Sequence, residues 1–301
     1  MGLPAVFLVV ALLPASPVMA GKSAEDSAPA EYQSWRAQRE QELRSPTGYL
    51  SLAGLYWLRD GSQTFGSAAD NDVVLPAGRA PDHAGTLMLQ AGQVSAMAGP
   101  GIELVVDGAP ITQVRMTSGS AGQKPTEVQL GELTFWAIER SGKIAIRLRD
   151  PRSEILKNYK GTKTYPYAAD WLVPARFERF DTPRPTRVPT VLGLESDMTA
   201  AGVLAFEIDG QPHRLLATGI SSTHVSLIFG DQTNGHGTYG GGRFLEVPLP
   251  STGDATTIDF NRAYNPPCAY SPYTTCPLPP PGNKLPIRIE AGELIEGHEH
   301  P

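Results

Sequence analysis

The stretch "IDFNRAYNPPCAYSPYTTCPLPPPGNKLP", residues 258–286, gathers the side chains best suited to chemistry. Asp259 and Tyr264 are candidate acid and base groups, and Cys268 is a candidate nucleophile. Read as a strand, Ile258 and Phe260 turn to one face while Asp259 and Asn261 turn to the other. Arg262 and Tyr264 continue the polar list as the strand breaks at Pro266-Pro267, and Arg243 stands just upstream in "GGRFLEVPLP". Two arrangements fit. The groups satisfy one another in a hydrogen-bond network that pins the strand end, or Arg243, Asn261, Arg262 and Tyr264 converge on a small polar or anionic ligand.

Cys268 and Cys276 are the two cysteines of the chain. In an oxidising compartment such a pair forms a disulfide, and the next reading is a free structural pair. The rival role is a reactive Cys268 whose thiolate is held by the neighbouring charge of Arg262. Other chemistries lack their signatures. The six histidines show neither HExxH nor Cys/His ligand spacing, so no metal is expected. The glycine-rich "TNGHGTYGGGRFL" is followed by a strand pattern and no Lys-Ser/Thr, which makes it a hairpin loop and not a phosphate cradle. No GxSxG elbow is present. No cofactor is implied.

These residues need a scaffold. A chain of 301 residues, 41% apolar and rich in Gly (31) and Pro (28), suits many short strands around proper cores. Its net charge of −6 without a basic cluster argues against nucleic acid as a partner. Residues 1–20, "MGLPAVFLVVALLPASPVMA", read as a secretory signal cleaved after Ala20. Its prolines leave too short an apolar run for a membrane span, so a periplasmic or secreted protein without a stable span is expected. Residues 21–60 read as a linker and a short amphipathic helix, with Tyr32, Trp35, Arg39 and Leu43 at helical spacing, then a buried lead-in, "GYLSLAGLYWL".

From 61 to 150 the pattern is that of an antiparallel β-sandwich ending in the hairpin "ELTFWAIERSGKIAIRLRD". The order of its signals resembles the forkhead-associated sandwich: Gly66 after a strand, Asn71-Asp72 before Val73, His83-Ala84 opening the next strand, Asp107-Gly108 in a late turn. Ser67 stands where that family carries its phosphate-gripping arginine, and Ala80 where it carries a serine, so the shape is implied and phosphothreonine binding is not. Residues 151–301 begin with a proline-rich connecting segment that cannot form a long helix. Strands then return, with a hairpin at Asp209-Gly210, as a second antiparallel sandwich or barrel.

"GTYGGGRFL", "DFNRAYNPPCAY" and "CPLPPPGNKLPIRIEAGE", with "GYLSLAGLYWL" near the start, resemble a bacterial family known as domain of unknown function 1684. That resemblance spans roughly residues 31 to 295 and implies a mainly β fold without an established activity. The sequence therefore supports an exported binder of a small polar or anionic ligand. Its alternative is a metal-independent hydrolase of an envelope or extracellular compound, using Asp259, Tyr264 or Cys268.

Overall fold

The computed structural model describes residues 28–119 and 124–295. The expected signal segment, most of the linker and the last two histidines lie outside them. A helix, α1 (Ala30–Arg44), leads into a short 3-10 turn at Tyr49–Ser51 and eleven strands. These are β1 (Leu52–Trp57), β2 (Gly61–Gly66), β3 (Val73–Val74), β4 (Gly85–Gln90), β5 (Gln93–Ala98), β6 (Leu104–Val106), β7 (Ala109–Ile111), β8 (Gln113–Met116), β9 (Val128–Leu130), β10 (Leu133–Arg140) and β11 (Lys143–Arg149). They form two sheets, ordered β1-β11-β10-β9-β6-β7 and β3-β2-β4-β5-β8. The sheets enclose a core of Phe65, Leu87, Val94, Val128, Phe135 and Leu148. The segment expected as a buried lead-in is thus in part an edge strand, Leu55 pairing with Arg147 of β11.

Tight turns set the registers. Ala91-Gly92, Asp107-Gly108, Ser141-Gly142 and Asp209-Gly210 all take positive φ at both positions. That geometry matches the twist of the strands they join.

A short helix, α2 (Glu154–Asn158), is capped by Ser153, whose hydroxyl accepts from Leu156 N. The second half then builds one sheet from β12 (Leu172–Pro189), β13 (Glu195–Ile208), β14 (Gln211–Ile220), β15 (His224–Phe229), β16 (Arg243–Pro248) and β17 (Ala255–Asp259). Its order is β16-β15-β14-β13-β12-β17, and the two ends, β16 and β17, lie against each other. The sheet is therefore a nearly closed barrel around Val173, Phe206, Leu215, Phe229, Leu245 and Phe260. Much of the proline-rich connection is strand. β17 pairs with β12 only from Leu172 to Arg176. Beyond it β12 is an edge, where the missing N–H groups of Pro183 and Pro185 cost no ladder bond on that side.

The C-terminal segment closes the barrel. Asn283 donates to Leu216 O and Ile228 O and accepts from Leu216 N, tying two strands to one side chain. Tyr264 exchanges backbone bonds with Phe244 at 2.8 and 2.9 Å. Helix α1 packs on this end: Leu43 meets Leu50, Ala269 and Tyr270, and the Glu40 carboxylate accepts from Tyr159 OH and Thr162 N.

Candidate functional site

Residues Trp35, Gln38, Arg39 and Glu42 share one face of α1, as spacings of three and four require. Opposite them, Phe244 and Glu246 alternate with the buried Leu245 and Val247 of β16 and turn outward. Between the two elements lies a cleft of about 450 Å³, completed by Tyr49, Tyr264 and Pro267.

Arg39 is the best-anchored group in it. Nε donates to Glu293 Oε1 at 3.0 Å and Nη2 to Asn265 O at 3.0 Å. The guanidinium carbon lies 4.7 Å from the Tyr264 ring centre. Nη1 has no acceptor among the described residues. Burial works against the Arg39 charge, and Glu293, Tyr270 and Tyr264 together more than offset it, so its pKa is raised. Glu293 is itself enclosed, accepting also from Tyr270 OH at 2.7 Å and Asn265 N at 2.6 Å. Glu246 accepts from Ser226 Oγ at 3.0 Å and faces Tyr264 OH at 3.5 Å. Although it opens to solvent at the rim, desolvation by its neighbours pushes its carboxyl pKa up. Burial does the same to the Tyr264 phenol.

Of the residues expected around a ligand, Tyr264 lines this cleft. Arg243 does not: its side chain is fully buried, with Nη2 2.7 Å from Asp231 Oδ2 and 2.9 Å from Ile289 O, and Nη1 on Ala291 O. Asn261 is also buried and clamps Ala168, donating to its O and accepting from its N at 3.0 Å each. Asp259 accepts from Asn261 N and Nδ2, and its Oδ2 forms an ion pair with Arg262 Nε at 3.1 Å. Strand geometry ends at Asp259, where a 3-10 turn, Phe260–Arg262, begins. That turn buries Phe260 and Asn261 together instead of placing them on opposite faces.

Cys268 and Cys276 are free thiols in the structure, in place of the expected disulfide. Each sulfur instead accepts the other residue's backbone N–H at 3.1 Å, and Thr274 Oγ1 lies 2.8 Å from Cys268 Sγ. Contact with Cys276 and then Thr274 pushes the Cys268 pKa down, with a smaller contribution from Arg147, while contact with Cys268 and burial push that of Cys276 up. The cation beside Cys268 is therefore Arg147, from β11 of the first half, and not Arg262.

Sequence reasoning does not point to Arg39, Glu246, Glu293 or Asp231 as site residues. The first two carry a periodic signal, helical for Trp35-Gln38-Arg39-Glu42 and alternating for Phe244-Leu245-Glu246. Glu293 and Asp231 carry none, since their partners lie 254 and 12 positions away. Among the described residues no His/Cys/Asp/Glu group is placed to hold a metal ion, and no helix is long and apolar enough to cross a membrane.

Comparison with known proteins places the second half. No curated protein matches the chain. Among solved structures, the solution structure of the uncharacterized protein from gene locus rrnAC0354 of Haloarcula marismortui is 32% identical. That match covers 48% of this chain and 80% of the other, with a TM-score of 0.40. The FHA-2 domain of the Mycobacterium tuberculosis ABC transporter Rv1747 is 26% identical over 30% of this chain and 77% of its own, with a TM-score of 0.23. The FhaA FHA domain, solved with the intracellular domain of Rv3910, is 16% identical over 31% and 96%, with a TM-score of 0.22. The family described as "Protein of unknown function (DUF1684)" matches residues 157–294, from α2 through the barrel to Leu294, and the chain belongs to that family.

Proposed function

We propose that the protein is exported and binds a small polar ligand bearing an anionic group in the cleft between α1 and β16. One observation carries this reading. The Arg39 guanidinium is fixed by Glu293, Asn265 and Tyr264, the residue lines the cleft, and Nη1 has no acceptor among the described residues. A cation fixed in advance loses little freedom on binding. In this reading Tyr264 and Arg39 meet the ligand, while Arg243, Asn261 and the Asp259–Arg262 pair position the segment that carries Tyr264. Export would also bring Cys268 and Cys276 into an oxidising compartment, where such a pair closes to a disulfide.

A thermal-shift screen of small carboxylates, amino acids among them, tests the cleft. We expect a stabilising carboxylate whose effect is lost in Trp35→Ala and kept in Arg176→Ala, which lies in a separate groove beside His213. Equal shifts in Trp35→Ala and wild type overturn the reading.

A metal-independent hydrolase has one observation in its favour, the desolvated Glu246 carboxyl beside Tyr264. A carboxyl with a raised pKa is suited to general acid work. Asp259 and Cys268, the other candidates, lie outside the cleft lining.

A further inference from the structure

The charges of the cleft do not suit a simple anion. Arg39 is the cation among its lining residues, and its charge is already paired with Glu293. Glu42 and Glu246 line the same space. Glu42 accepts from Gln38 Nε2 at 2.9 Å and Glu246 from Ser226 Oγ at 3.0 Å, but both donors are neutral. An entering anion would meet two carboxylates and one cation that is half satisfied.

We infer that the ligand is a zwitterion, with its anionic end on Arg39 Nη1 and an ammonium group on Glu246 among the rings of Trp35, Tyr49 and Phe244. The assignment rests on the cleft being the site proposed above. Aromatic faces attract an ammonium, and a carboxylate beside it gains a charge-assisted hydrogen bond. Tyr264 is unavailable for this purpose, because Arg39 already covers its ring.

A linkage follows from the position of Glu246. Only its ionised form holds an ammonium, and desolvation favours the neutral form. Affinity must rise as pH climbs through the raised Glu246 pKa, and level off above it. The charged and titratable groups around it are His224 on β15, Tyr264 on the C-terminal segment, and Arg39 and Glu42 on α1, with Tyr49 at the wall. A His224→Gln background removes the imidazole on β15 and leaves the Glu246 contribution.

Three probes of one carbon length decide the question: 4-aminobutyrate, butyrate and butylammonium, titrated calorimetrically into the full chain. We expect 4-aminobutyrate to bind at least about tenfold more tightly than either single-charge probe, an advantage that Glu246→Gln abolishes. Butyrate binding as tightly as 4-aminobutyrate overturns the ammonium contact and leaves the Arg39 cleft standing. Butylammonium binding as tightly overturns the anionic end. An advantage that survives Glu246→Gln reassigns the ammonium and overturns the proposal. Absence of heat with all three overturns both the zwitterion and the cleft.

Discussion

Arg39 Nε donates to Glu293 Oε1 at 3.0 Å, joining the first helix to the C-terminal segment across 254 positions of sequence. The family match begins at residue 157, so α1 lies outside it yet supplies the cation for a carboxylate inside it. Glu293 also holds Asn265 N and Tyr270 OH. The helix and the segment that carries Tyr264 are therefore fixed by the same carboxylate, and the cleft wall depends on both.

Replacing Arg39 with Met keeps most of the packing over Tyr264 and leaves Glu293 enclosed without its counter-charge. We expect a loss of roughly 3 kcal/mol in urea denaturation, as for one partner removed from a buried pair. A loss below about 1 kcal/mol would show that the pair does not hold the helix.

Two other arginines separate by burial. Arg243 and Asp231 have no exposed side-chain surface, and Arg243→Ala strands Asp231 beside the barrel core. That variant should lose about 3–5 kcal/mol or fail to fold. Arg262 is a third exposed, and its partner Asp259 keeps its bonds to Asn261. Arg262→Ala should stay within about 1 kcal/mol of wild type. Equal losses at both positions would mean that the Asp259–Arg262 pair is as essential as the buried one.

Acid stability has a sign that can be worked out at Asp150. The Arg79 guanidinium, bound at 2.7 and 2.8 Å, and the backbone N–H of Arg152 hold this carboxyl below the usual range. A depressed folded pKa contributes stability above the unfolded value and loses it as pH falls through the folded one. Asp150→Asn should be less stable at neutral pH, and its difference from wild type should shrink on acidification. A constant difference from pH 7 down to pH 2 would show that the charge is not what matters.

Local pattern made most of the scaffold legible. The X-Gly turns, the run of short antiparallel strands of the first half and the helix ending at Ser45-Pro46 all follow from short-range rules of backbone conformation. What escaped was set by distant partners. Arg243 and Asn261 look like ligand groups in sequence, because an arginine or amide on a strand is ordinarily exposed. Asp231 and Ala168 bury them, and neither spacing nor periodicity announces such a pairing. Conversely, Arg39 read as part of an amphipathic face, and its role became visible only when the chain returned at Asn265 and Glu293. The proline-rich connection hid β12 because prolines argue against a strand unless one edge is free.

The thiols report on compartment. Protein purified from its native location and unfolded without reductant should leave Cys268 and Cys276 unmodified by iodoacetamide, and reduction should expose both. Labelling before reduction would show that the free pair seen here is the working form. In that case Cys268 should react faster than Cys276 in the folded protein, where contact with Cys276 and Thr274 favours its thiolate.

Tyr264 offers the cleanest separation of fold from ligand binding, because its ring and its hydroxyl have different partners. The ring carries Arg39 on one face and meets Phe244 edge-on, with centroids 5.9 Å apart. Among the described residues the hydroxyl has a single long contact, 3.5 Å to Glu246. Tyr264→Phe keeps the ring and should change stability by less than about 1 kcal/mol. Tyr264→Ala removes the surface on which Arg39 rests and opens a cavity beneath α1, at a cost of about 3–5 kcal/mol for a large aromatic truncation. The binding readout divides differently. If the hydroxyl only orients Glu246, Tyr264→Phe should keep the preference for 4-aminobutyrate over butyrate. If it bonds the ligand directly, affinity for both probes should fall together while the melting temperature stays put. A stable Tyr264→Ala variant with wild-type affinity would contradict the placement of this residue in the wall of the site.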